Sequence, residues 1–169
     1  MRRLPTLILS SILAFVVSHC DGGLDPTAIP PNAELGGRLT VRGGVESYPP
    51  RDSLLDLRVV AFRTIPRDSS IIAAVLSGQA YFTTSSVLDS SHYRIVIPFG
   101  DGTSEPLRLE YIAVAQQYGP NIFRDWRVVG VYASDSLWTP KALTLTRGER
   151  RMDVDITIDF RNPPPQPFQ

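Results

Sequence analysis

The sequence predicts an all-β domain, an antiparallel β-sandwich of about seven strands. Three observations carry that expectation. Apolar residues between Leu35 and Phe160 recur with a period of two rather than 3.6. Turn sequences separate the runs: Gly43-Gly44, Pro49-Pro50, Gly100-Asp101-Gly102, Gly119-Pro120-Asn121 and Arg147-Gly148. Two runs, Leu57–Arg63 and Val128–Ala133, are almost continuously apolar, as central strands covered on both faces are.

The N-terminus, residues 1–19, reads as an export signal. Arg2 and Arg3 supply a basic start, Leu7 through Val17 an apolar run, and Val17-Ser18-His19-Cys20 a processing site. The run is shorter than the roughly 20 apolar residues that a spanning helix needs. Cys20 is the only cysteine. A signal that ends on a cysteine resembles that of bacterial lipoproteins, although His19 stands where that family usually has Gly, Ala or Ser. The resemblance implies that Cys20 is acylated and becomes the first residue of the mature chain, held at the membrane by its lipid. It places the protein in the bacterial cell envelope, at the periplasmic face or the outer surface. Without lipid on Cys20 the chain would be secreted.

Residues 20–34, ending DGGLDPTAIPPNAE, are rich in Gly and Pro and read as a tether. The globular part is assigned to 35–160 and a Pro-rich tail to 161–169, where Asn162-Pro163-Pro164-Pro165-Gln166-Pro167 reads as frayed and unable to pair in a sheet. Removing Met1–His19 takes away two arginines and no acid, leaving 15 basic and 17 acidic side chains, a net of −2. No basic patch follows from that balance, so nucleic acid is not an expected partner.

Within the domain the clearest alternation is Met152–Phe160. It puts Met152, Val154, Ile156, Ile158 and Phe160 on one face and Asp153, Asp155, Thr157 and Asp159 on the other, a half-buried strand. Leu35–Arg42 alternates at Leu39 and Val41, and Tyr93–Pro98 through Tyr93, Ile95 and Ile97. Leu107–Gln117 is the longest expected strand, with Ile112 and Val114 opposite Tyr111, Ala113 and Ala115; Ala142–Thr146 is short. Ser70–Gly78 carries both β-branched and Leu-Ala character and is assigned to strand rather than a short helix.

The succession "LGGRLTVRG", "LRVVAFR", "HYRIVIPFGDG", "YIAVAQQYGP", "RVVGVYA" and "VDITIDF" resembles lipoproteins whose exported part is a carboxypeptidase-regulatory-like, or transthyretin-like, β-sandwich. The resemblance spans about Leu35 to Phe160. It implies a transthyretin-like or Ig-like architecture and no particular chemistry. The family's tight hairpin between strands is replaced here by a longer loop, Pro98–Pro106.

Catalytic, metal-binding and cofactor signatures are not read. His92 is the only histidine after the signal; beside Asp89, Ser90 and Ser91 it is expected as an exposed residue at the start of a strand rather than a triad member. Alternate residues on a strand face lie about 7 Å apart, so Asp153, Asp155 and Asp159 are too far from one another to clamp an ion unaided. The loop Tyr118–Arg127 concentrates aromatic and arginine side chains, the types that anchor interfaces. Tyr118, Phe123, Arg124 and Trp126 are therefore the candidate partner-binding residues, against the alternative that Phe123 and Trp126 cap the domain. Trp138 is open to the same two readings. The expected function is a non-enzymatic, membrane-anchored module that contacts an envelope protein or a glycan. A carbohydrate- or peptide-processing accessory enzyme and a small-ligand carrier are the alternatives.

Overall fold

The computed structural model describes residues 32–67, 71–100, 103 and 105–167. The signal, Cys20 and the stretch up to Pro31 lie outside the described residues. Ten strands are present among the described residues: β1 (Asn32–Val41), β2 (Asp56–Phe62), β3 (Ala80–Phe82), β4 (His92–Pro98), β5 (Leu107–Leu109), β6 (Tyr111–Gln117), β7 (Trp126–Val131), β8 (Leu143–Leu145), β9 (Arg150–Arg151) and β10 (Ile156–Ile158). An α-helix, α1 (Ile71–Leu76), lies between β2 and β3. The domain is all-β in class, as the period of two predicts.

The main sheet runs β3-β2-β6-β7-β10-β1-β4, with β9 beside β1, while β5 and β8 pair with each other. Strands far apart in that order nevertheless share one core. Leu57, Val59, Ile112, Val114 and Val129 from β2, β6 and β7 cluster with Tyr93, Ile95 and Ile97 of β4 and with Leu107, Leu109 and Leu145 of β5 and β8. The sheet must therefore curl over on itself, with the β5–β8 pair closing the same core.

Strand orientation is mixed, which corrects the antiparallel expectation. β1 runs antiparallel to β4 over Asn32–Arg38 but parallel to β9 at Glu34–Leu35 and to β10 at Leu39–Val41. Gly36 and Gly37 sit where β1 changes neighbours. A methyl group on Gly37 would run into the Val154 carbonyl, and one on Gly36 would lie 2.6 Å from the Tyr93 carbonyl oxygen. Only a residue without Cβ allows this approach. The Tyr93 hydroxyl donates to the same Val154 carbonyl at 2.8 Å, fixing the crossing from the core side.

The expected strand Met152–Phe160 is shorter than its pattern. Only Ile156–Ile158 pairs as strand, because the segment shifts by one residue against β1 between Arg151 and Ile156. Met152 is consequently 47% exposed, lying over Gly36 rather than in the core, while Val154, Ile156, Ile158 and Phe160 are buried. Asp159, expected on the wet face, is buried as well. It pairs with Arg42 at 3.0 Å, and its other oxygen accepts from the Arg161 and Asn162 amides.

Leu107–Gln117 is two strands. At Glu110 the chain leaves the β5–β8 pair for the main sheet, its amide donating to the Phe62 carbonyl. The predicted faces of β6 hold: Ile112 and Val114 enter the main core, and Tyr111, Ala113 and Ala115 enter a second cluster on the opposite face. That second face is why 71–76 is helix and not strand. Ile71 and Ala74, three residues apart and so on one side of a helix, cover it. Gly78, at φ +70, takes the left-handed conformation that ends the helix. A helix of this length is unstable alone, so the packing holds it.

The start of β1 at Asn32, with Ala33 fully buried, moves the domain boundary into the expected tether. The tail is not frayed either. Pro164 is buried, and the Gln166 side chain bonds Val128 through both of its amide atoms.

Candidate functional site

The pairing registers sort the loops between two poles. Asn32 opens β1 opposite Pro98, the end of β4. At the other end of β1 stand the start of β4, the start of β2 beside Gln117, and the β6–β7 turn. Ten residues of strand separate the poles, up to about 30 Å at 3.3 Å per residue. The Tyr118–Asp125 loop and the segments 43–55 and 83–91 thus lie at the pole away from Asn32.

The β6–β7 loop is held by its own backbone. Asp125 accepts from the Asn121 amide at 2.8 Å, the Asn121 side chain accepts from the Phe123 amide at 3.0 Å, and the Tyr118 amide donates to the Asp125 carbonyl. These bonds brace the loop without engaging the side chains of Tyr118, Ile122 and Phe123. The structure divides the four candidates. Phe123 is 60% exposed, and Tyr118 and Arg124 are exposed beside it. Trp126 instead packs against the second cluster, its indole N–H donating to the Ile122 carbonyl at 2.8 Å. Ile122, which the sequence reading passed over, is 52% exposed and completes an apolar tip with Tyr118 and Phe123. Lying in a turn rather than a strand, it gave no periodic signal. Trp138 also packs on the second cluster, beneath the Arg42 guanidinium at 5.4 Å from the ring centre.

Next to this tip lies a groove of about 570 Å³. Leu39, Leu54, Leu57, Val87 and Ile158 form its floor, and Arg51, Asp89, Ser90 and Ser91 stand among its lining. Gln116, wholly buried on β6, ties groove and tip together. Its amide donates to the Ser53 carbonyl on the groove side and its oxygen accepts from Arg127 at 2.9 Å on the hairpin side.

The polar residues read for chemistry are placed as follows. His92 is exposed at the start of β4; its Nδ1 contacts Ser91 Oγ at 3.0 Å, and among the described residues no carboxylate bonds its other nitrogen. Asp155 accepts from the Arg38 amide at 2.7 Å, and Asp153 faces Arg151 at 3.9 Å. Among the described residues no three His, Cys, Asp or Glu side chains gather as a metal site. Burial raises the Tyr93 and Tyr111 hydroxyls above the ordinary tyrosine range, so both stay protonated and structural. No described helix is long and apolar enough to cross a membrane. Comparison with protein families, with curated proteins and with solved structures finds no match.

Proposed function

We propose that this chain is a lipid-anchored, non-catalytic module of the bacterial cell envelope that binds a partner protein through its β6–β7 hairpin tip. The observation that carries the reading is the tip itself. Tyr118, Ile122 and Phe123 are turned into solvent by a loop braced by the Asn121 and Asp125 side chains, so an apolar surface is kept exposed at a cost in hydration. Aromatic residues on a preorganised loop lose little conformational freedom on binding, which is what interface anchors need. The anchor at Cys20 and the transthyretin-like character remain part of this proposal, carried by the sequence resemblances. Of the residues lining the groove, Asp89 is the only carboxylate, where glycoside hydrolysis draws on two.

Photo-crosslinking tests it. A benzophenone amino acid in place of Phe123, in the intact envelope, is expected to give a discrete protein adduct. The same group in place of Leu76, still more open to water but at the other pole, is expected to give none. Identical adducts from both positions, or none from Phe123, would remove the reading. Labelled palmitate entering the wild type but not Cys20→Ser tests the anchor separately.

A further inference from the structure

We propose that the groove beside the hairpin tip docks an extended peptide segment of another protein, one presenting an apolar side chain between an acidic and a basic residue. This deepens the interaction reading but rests on different residues. The floor of Leu39, Leu54, Leu57, Val87 and Ile158 is aliphatic, and its volume of about 570 Å³ lies inside the usual range for binding sites, roughly 300–1,000 Å³. The lining carries one cation, Arg51, and one anion, Asp89. Among the described residues neither is held in an ion pair.

Those two charges decide between occupants. A fatty acid matches the floor and Arg51, but sets its carboxylate in a rim shared with Asp89. A glycan would surrender water from its hydroxyls to an aliphatic floor that returns no hydrogen bond. A peptide satisfies every part. Its apolar side chain fills the floor, its backbone stays near water, and flanking charges of opposite sign answer Arg51 and Asp89. Because Gln116 braces the 51–55 segment against the hairpin stem, the same segment can run on to the Ile122–Phe123 tip.

Selection of a phage-displayed dodecapeptide library on the purified full chain, followed by fluorescence anisotropy with the enriched peptides, tests this. Enriched sequences are expected to carry Leu, Ile, Met or Phe flanked by an acid and a base. Val45→Arg, at the groove mouth, is expected to weaken them about tenfold or more. Val45 is 83% exposed, so the change spares the core, and circular dichroism checks the fold. Arg51→Glu together with Asp89→Lys is expected to reverse the preferred order of the flanking charges. Failure to enrich any peptide would overturn the proposal, as would peptides that Val45→Arg binds unchanged or a fluorescent fatty acid bound in the groove in preference to peptide. If Phe123→Ser abolishes peptide binding while Val45→Arg does not, the groove proposal falls and the hairpin-tip reading stands.

Discussion

Glu149 shows how much one partly buried side chain can organise. It closes the turn between β8 and β9, accepting from the Thr146 amide at 2.9 Å, the Thr146 hydroxyl at 3.1 Å and Arg151 at 2.7 Å. Its own carbonyl then receives the Glu34 amide, so the turn delivers β9 to β1. The Arg151 hydrogen bond first, and the Thr146 amide second, hold the carboxyl below the ordinary glutamate range. A carboxyl depressed in the folded state stabilises the fold above its unfolded pKa, about 4.3, and loses that contribution as pH falls through the lower folded value. Glu149→Gln is therefore expected to cost about 0.5–1 kcal/mol at pH 7, the scale of a solvent-facing pair. Urea unfolding of wild type and variant should converge as the pH is lowered from 5 to 3. A gap that stays constant across that range would mean the charge plays no part.

At the scale of elements, the tail supplies what β10 lacks. β10 ends at Ile158, opposite Gly130, so the edge of β7 would be bare at Val128. The Gln166 side chain completes it, accepting from the Val128 amide at 2.7 Å and donating to its carbonyl at 2.9 Å, in the manner of one more strand residue. Gln166→Ala is expected to destabilise the domain by about 1–2 kcal/mol and to speed hydrogen exchange at the Val128 amide. Unchanged exchange there would show that the tail contact is idle. The sequence could not announce this, because proline content argues only about backbone pairing and Gln166 pairs through its side chain. The same limit explains the other departures. The alternations of β4 and β6 were legible because each strand sets its apolar side chains against a fixed core. The parallel β1–β10 pairing, the change of partner at Glu110 and the helix at Ile71 depend on surfaces contributed from elsewhere in the chain. Of the site, the aromatic loop was legible from composition, but the exposure of Phe123 against the packing of Trp126 was decided by the second cluster. The groove, assembled from four separate segments, left no local trace at all.

For the whole molecule, the decisive quantity is direction. The chain enters at Asn32, and the groove and hairpin tip stand at the opposite pole. With β1 beginning at Asn32, the stretch left as tether after Cys20 is Asp21–Pro31, which spans at most about 34 Å at 3.1 Å per residue. A lipid on Cys20 would then put the pole bearing Asn32 nearest the bilayer and present the tip outward, where a partner can be reached. The two poles can be told apart with single labels, since the only native cysteine, Cys20, is the one proposed to carry the lipid. Leu76, 79% exposed at the end of α1, lies beyond the end of β2 away from the β6–β7 turn and marks the near pole, and Phe123 the far one. Fluorophores on Leu76→Cys and Phe123→Cys, in lipidated protein on vesicles carrying a headgroup quencher, are expected to differ, with the Leu76 position quenched more strongly. A slack tether shrinks that contrast without reversing it, because the attachment point itself belongs to the near pole. Stronger quenching at Phe123 would mean that the apolar tip meets the bilayer rather than a protein, and both the orientation and the partner reading would have to be given up together.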